Sequence, residues 1–330
     1  MNRLVSELEF EKGLSEIRSA LEKLTKADPR KVPDLAAQRA RLEAQYDQQL
    51  AAIYREIIPW NRVLISRHPQ RPRFLDFAAV LFPDFIELHG DRRYGDDGAI
   101  VGGPATFQGR SVILIGEQKG RSTKENIMRN FGMPHPEGYR KAERLIRMAE
   151  RFDMPIVTFV DTSGASALEE DEARGVSWAI AECLRTQAEI HVPIISVIIG
   201  EGMSGGAIAI AMGNRVLMLE HSIYSVIAPE ACASQLWRDV AAAPEAATAM
   251  HVTAQQLLRL GLIDRIVPEP LGGAHRDPTT AALYLETALR EEFSRISFEQ
   301  FDWAQQRYER YRQFGQVTDT LSTTQKAPTG

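Results

Sequence analysis

Residues 194–213 read IISVIIGEGMSGGAIAIAMG, and this stretch constrains the fold more than any other. Ile194 to Ile199 is an apolar, β-branched run of the kind that forms a strand buried on both faces. It meets a glycine cluster, Gly200-Glu201-Gly202-Met203-Ser204-Gly205-Gly206, then resumes as alanine-rich Ala207 to Met212, closed by Gly213. Strand, glycine turn and buried helix demand an α/β core. The same order aims unpaired backbone N–H groups, reinforced by the helix dipole, at the space above the turn. Glycines let a ligand oxygen approach those amides, which is the pattern of an oxyanion site. Two other readings fit the same residues. Glycines after a strand also serve a tight turn and close helix–sheet packing. The window Gly202 to Gly206 matches G-x-S-x-G, the nucleophile elbow of serine hydrolases, with Ser204 attacking and His251 or His275 and Asp239 or Asp264 downstream.

A chain of 330 residues, 44% of them apolar, suffices for one elaborated α/β unit with an appendage and a sizeable core. A net charge of −5 argues against a general nucleic-acid binder. Cys183 and Cys232 lie far apart with no C-x-x-C pair, so no zinc site or disulfide framework is expected and each reads as a core residue. The charged N-terminus carries no apolar signal segment, and no run approaches the roughly 20 residues that span a bilayer. A cytoplasmic protein away from the membrane is the expectation.

Leu14, Ile17, Leu21 and Leu24 recur at helical spacing, as do Leu35, Leu42, Leu50, Ile53 and Ile57 beyond a proline-bearing turn at 27–34. An N-terminal helical hairpin ending at Pro59 is expected, its apolar stripe lying on the main domain or a partner. Residues 67–73, RHPQRPR, read as a basic, proline-broken solvated loop, with an anion-binding patch as the alternative. A β-hairpin is expected around Gln108-Gly109. Gly120 to Lys124 is small and cationic, compatible with a phosphate but too generic to specify one. From 136 onward strand and helix alternate: a helix from Pro136 to about Phe152, a strand at 156–160 ending at Asp161, a helix at 172–189 and the strand at 194–199. Strands follow at 215–219, 222–227 and 263–267, with helical runs at 230–237 and 254–260. Residues 269–330 hold a further helical stretch and a polar tail that reads as disordered.

The stretches RHPQRP (67–72), GDR (90–92), AIVGG (99–103), RNFGMPHPEGYRKA (129–142), MAERFDMPI (148–156), GEGMSGGAIAI (200–210), YSVIAPEACAS (224–234) and LIDRIVPEPLGGAHR (262–276) run in order over most of 60–276. They resemble the α subunit of the bacterial acetyl-CoA carboxylase carboxyltransferase. The resemblance implies an α/β fold of the crotonase-like (ClpP/crotonase) group, a spiral of strand–loop–helix units over 61–295. The helical hairpin would occupy 1–60, and a helix end with the polar tail 296–330. It implies transfer of a carboxyl group from carboxybiotin, tethered to a biotin carboxyl carrier protein, to acetyl-CoA, giving malonyl-CoA for fatty acid synthesis. The α subunit's N–H groups would hold the biotin ureido oxygen, while a partner β subunit holds the thioester enolate and carries the zinc. No cofactor is expected on this chain alone. An α2β2 assembly with biotin carboxylase in the larger complex is expected, without nucleic acid.

Carried over by motif, the backbone donors are Gly205, Gly206 and Ala207, with Gly206 and Ala207 foremost. Gly164, Ala165, Gly202 and Met203 would face biotin. One departure stands out. Where the family loop reads D-T-P-G-A-Y-P-G-V-G-A-E-E-R-G, residues 161–175 read DTSGASALEEDEARG, without both prolines, the tyrosine and two glycines. Met203 and Ala231 also stand where the family favours glycine. A divergent paralogue, acting on another acyl-CoA or serving only assembly, is the second reading.

Overall fold

The computed structural model describes residues 8–28, 33–298 and 302–315. A short 3₁₀ turn, Glu9–Leu14, leads into α1 (Ser15–Thr25) and α2 (Leu35–Arg55), the expected hairpin. Leu14, Ile17 and Leu21 meet Tyr46 and Leu50 in a small core of their own. The hairpin stops at Arg55, a few residues short of the expected end at Pro59, and Pro59 opens a new helix. It occupies the first turn of α3 (Pro59–Ser66), where its fixed φ suits a helix and its missing N–H costs nothing. Next come α4 (Phe74–Leu81) and the antiparallel pair β1 (Ile100–Phe107) and β2 (Arg110–Glu117). Gln108 and Gly109 both take positive φ, as a two-residue hairpin turn requires.

The strand–helix alternation follows: α5 (Thr123–Met128), α6 (Pro136–Arg151), β3 (Ile156–Thr162), α7 (Glu169–Ala173), α8 (Val176–Glu189), β4 (Ile194–Met203) and α9 (Ser204–Ala211). Then come β5 (Arg215–Leu219), β6 (Ile223–Ser225), α10 (Pro229–Leu236), α11 (Ala243–Ala249), α12 (Ala254–Arg259), β7 (Arg265–Val267), α13 (Pro278–Phe298) and α14 (Trp303–Arg312). The single helix expected over 172–189 is two, because Gly175 breaks it at φ +81°. The helix α11 was not anticipated; its alanines lack a clear helical period. The expected polar tail beyond 315 lies outside the described residues.

Six strands of the seven-stranded sheet run in the order β1-β2-β3-β4-β5-β7, with β6 added against β4. All pairings from β2 onward are parallel. Every residue of β4 is buried, as its unbroken apolar run requires. Val157, Phe159, Ile195, Val197 and Ile199 face a core shared with Phe74 of α4 and Leu285, Leu289 and Phe293 of α13. Ile156, Val160, Ile194 and Ile198 face Leu145 and Ile146 of α6 and Cys183 of α8. One strand pairs with β5 through Ile195–Ile198 and with β6 through Glu201–Met203, so the sheet turns as it progresses.

A buried latch holds the hairpin to this body. Arg276 Nη2 donates to Glu11 Oε1 at 2.8 Å with both side chains fully buried. Arg276 Nη1 donates to Tyr46 Oη at 2.7 Å, and Tyr54 Oη donates to Glu11 Oε1 at 2.8 Å. An Arg276→Met variant leaves the Glu11 carboxylate buried without its cation. We expect a loss of about 3–5 kcal/mol in urea unfolding, most of it restored when Glu11→Gln is added.

Candidate functional site

The glycine-rich segment is less a turn than a strand with a sharp end. Gly200 to Met203 extend β4, because Thr162 of β3 pairs with Gly202 on one side while Ile223 to Ser225 of β6 pair on the other. Gly200 makes room for the Asp161 carboxylate, and a Cβ on Gly202 would lie 2.7 Å from the Tyr224 ring. For these two glycines the packing explanation holds. Met203 does not face a ligand site either: it is 1% exposed, packed among Val63, Ile223, Ala247 and Val252.

The chain reverses at Ser204, whose φ of +57° is the left-handed backbone that a serine rarely adopts. With Met203 as N-cap and no side chain capping α9, Ser204, Gly205 and Gly206 occupy the positions whose amides have no acceptor within a helix. Ala207 is the first with a helix carbonyl four residues back. Gly206 lies directly against the loop after β3: a Cβ there would sit 2.6 Å from both Ala165 N and Gly164 C. The structure therefore brings Gly206 against Gly164 and Ala165, while Gly205 faces Ile180 of α8. The Ala165 N–H donates to no acceptor among the described residues.

The substituted loop is held by side chains instead of prolines. Thr162 Oγ1 accepts from Gly164 N at 3.0 Å and donates to Gly132 O at 2.6 Å. Ser166 N donates to the Pro134 carbonyl at 2.9 Å. The acidic run Glu169 to Glu172, read as a dense patch of charge, is divided by α7: Asp171 turns inward and is fully buried, while its neighbours are exposed. Asp171 accepts from the Ser166 hydroxyl, from His135 Nδ1 at 2.8 Å and from Arg174. Sequence patterning could not reveal this, since one inward acid among four has no periodic signature.

Beside the glycine turn, Ser204, Gly205, Ile208, Tyr224, Ser225, Val226, Leu257 and Leu262 line an apolar hollow of about 250 Å³. Across β4 from it, at the carboxyl ends of β2, β3 and β4, lies an ionic network that sequence reasoning missed. Lys119 Nζ donates to Asp161 Oδ1 at 2.8 Å and to Glu201 Oε2 at 2.7 Å. Arg67 Nε donates to Glu201 Oε1 at 2.6 Å, and its other nitrogens reach Glu230. Burial would raise the Glu201 carboxyl, but Lys119 and Arg67 outweigh it and hold it down at about 2. Burial likewise pulls the Lys119 ammonium down, and Asp161 with Glu201 pushes it above its ordinary value. Beneath them Glu117 accepts from Asp161 N at 3.0 Å, and complete burial raises its carboxyl well above the usual range. Segment 67–73 is no solvated loop: His68 and Arg71 are buried, and Arg71 pairs with Glu269 at 2.7 Å.

The hydrolase constellation does not assemble. His275 is buried, stacked 4.0 Å from His68, and Asp264 binds Arg215 and Arg310. Asp239 caps a 3₁₀ turn through Ala241 N, and His251, the other candidate base, is exposed and makes no hydrogen bond to Ser204 among the described residues.

Residues 7–315 match the family model described as acetyl co-enzyme A carboxylase carboxyltransferase-like. The chain belongs to this family. The acetyl-coenzyme A carboxylase carboxyl transferase subunit alpha of Bordetella avium is 53% identical over 289 residues, covering 88% of this chain and 90% of that protein. The protein of the same name from Aromatoleum aromaticum is 50% identical over 313 residues, covering 94% and 97%. Among solved structures, the malonate decarboxylase hetero-dimer from Pseudomonas aligns with a TM-score of 0.58 at 20% identity, covering 72% of this chain and 95% of that one. That likeness concerns the fold, and it agrees with the crotonase-like architecture expected for a carboxyltransferase-like chain. Within this carboxyltransferase-like member, the described residues contain no group of three or more His, Cys, Asp or Glu arranged to hold a metal, and no helix long and apolar enough to cross a membrane.

Proposed function

We propose that this chain supplies the carboxybiotin-facing half of a carboxyltransferase that converts acetyl-CoA to malonyl-CoA. The observation that carries the reading is the meeting of Gly206 with Gly164–Ala165, directly after Ser204 and Gly205, which line an apolar hollow. When the carboxyl group departs from carboxybiotin, its bonding electron pair stays on the ureido group and charge grows on the ureido oxygen. Fixed amides at Gly205, Gly206 and Ala165 would receive that oxygen, and the hollow would take the apolar ring beside it. A donor that needs no reorientation during the reaction stabilises the charged state more than water does. The biotin nitrogen left behind can take the proton from the acetyl methyl group, so this half of the site needs no side-chain base.

The enolate-holding half, with its zinc-bearing domain, is assigned to a β subunit, and the biotin to a separate carrier protein. An α2β2 core with biotin carboxylase in the larger complex, working in the cytoplasm, completes the proposal. The relatives' designation as a subunit alpha supports a partner chain. The test is malonyl-CoA formation by this chain co-purified with its β subunit and supplied with carboxybiotin on its carrier. Turnover without fluorophosphonate labelling of Ser204 is expected. Labelling of Ser204 with ester hydrolysis and no malonyl-CoA would overturn the proposal.

A further inference from the structure

The ionic cleft across β4 has a volume of about 320 Å³, and its lining includes Arg67, Arg71, Arg73, Lys119, Asp161 and Glu201. Most of these charges are already answered. Lys119 sits between Asp161 and Glu201, Arg67 between Glu201 and Glu230, and Arg71 against Glu269, Ser222 and the Ile199 carbonyl. Arg73 is the exception. Its Nη1 is buried with no hydrogen-bond partner, a costly state for a guanidinium N–H. Its carboxylate neighbours Asp161, Asp76 and Glu125 act on it through space without a hydrogen bond to its side chain, and Arg121 adds a second positive charge nearby. Asn126 and Ser163 line the same cleft, and neither side chain has a hydrogen-bond partner among the described residues. A guanidinium, an amide and a hydroxyl therefore converge with donors unused. At the same cleft Phe131 is 53% exposed and held at φ +55°.

We propose that this cleft binds a phosphate group, with Arg73 as its principal contact. Guanidinium forks match phosphate oxygens, and neutral donors from Asn126 and Ser163 complete the coordination without adding charge. Phe131 offers a flat face for the base of a phosphorylated nucleotide. The phosphate is carried by the 3′-phosphoadenosine end of a CoA thioester or is free inorganic phosphate. Only the first source rests on the carboxyltransferase reading, because the cleft's unmet donors exist whatever reaction the neighbouring turn performs.

The experiment is titration calorimetry on the chain co-purified with its β subunit, using CoA, 3′-dephospho-CoA and inorganic phosphate. Wild type is expected to bind CoA roughly tenfold more tightly than 3′-dephospho-CoA, a gap that Arg73→Gln closes. Phe131→Ala is expected to weaken both CoA forms and leave inorganic phosphate unchanged. Phosphate binding that vanishes in Arg73→Gln, without CoA discrimination, also supports the site and assigns it to the free ion. Arg73→Gln protein with unchanged melting temperature and unchanged affinity for all three probes overturns the proposal. Failure of malonyl-CoA formation alongside intact, Arg73-dependent CoA binding would instead remove the carboxyltransferase reading and leave this site standing.

Discussion

Gly206→Ala is expected to lower the rate of malonyl-CoA formation by about a hundredfold or more while the chain stays folded. The added methyl would sit 2.6 Å from Ala165 N and Gly164 C, so the two strands of backbone that carry the proposed donors must part. Separation of even a few tenths of an ångström spoils hydrogen bonds that act only on developing charge. The loss should therefore fall on kcat, with KM for acetyl-CoA little changed. Gly205→Ala is the matched control. A Cβ there meets only Ile180 Cδ1 at 3.6 Å, an ordinary contact, and the backbone N–H remains. A Gly206→Ala enzyme within threefold of wild type, with melting unchanged, would remove these amides from the reaction.

Asp171→Ala carries the second large effect. The carboxylate is fully buried and takes hydrogen bonds from Ser166, His135 and Arg174, two of which fix the entry to and exit from the loop that bears Ala165. Arg174 can fall back on Glu137, to which Nε already donates at 3.0 Å. Ser166 and His135 have no such alternative. We expect about 2–3 kcal/mol less stability in urea unfolding, from donors left buried without an acceptor. Turnover should fall further than that destabilisation explains, because the loop amide loses its fixed position. Asp171→Asn, which keeps one acceptor oxygen, should recover part of both. Equal losses of kcat in Asp171→Ala and in an equally destabilised variant elsewhere would reduce Asp171 to a structural role.

What the chain discloses about itself follows from what periodicity can encode. The buried strand at 194–199, the hairpin at Gln108-Gly109 and the helix opening at Pro136 are local patterns, and each stands where the pattern puts it. The length of β4 is not local: Gly200 to Met203 are strand because Thr162 and Ile223–Ser225 supply partners from distant sequence. The glycines were visible as a group, but what each one makes room for depends on residues distant in sequence: Asp161 at Gly200, Tyr224 at Gly202 and the Gly164–Ala165 backbone at Gly206. The Lys119–Asp161–Glu201 network joins the ends of three separate strands, so no spacing announces it. Basic residues at 67–73 suggested solvent because charge is usually exposed. Here Arg71 is buried against a carboxylate nearly two hundred positions away.

The Glu11–Arg276 pair, separated by 265 positions, also bears on how the protein comes into being. At about 5–20 residues per second, a ribosome that has released Glu11 needs on the order of ten seconds to a minute to deliver its partner. Over that interval the first two helices have little beyond each other and the ring of His221, which meets Tyr54 at 5.6 Å, and a short apolar seam between two helices is a weak unit in water. Their docking is thus a late event of high contact order, closing once the last part of the sheet exists. A nascent or truncated chain that lacks Arg276 would present these helices loose, and a chaperone or protease could distinguish it from a finished molecule by that end alone.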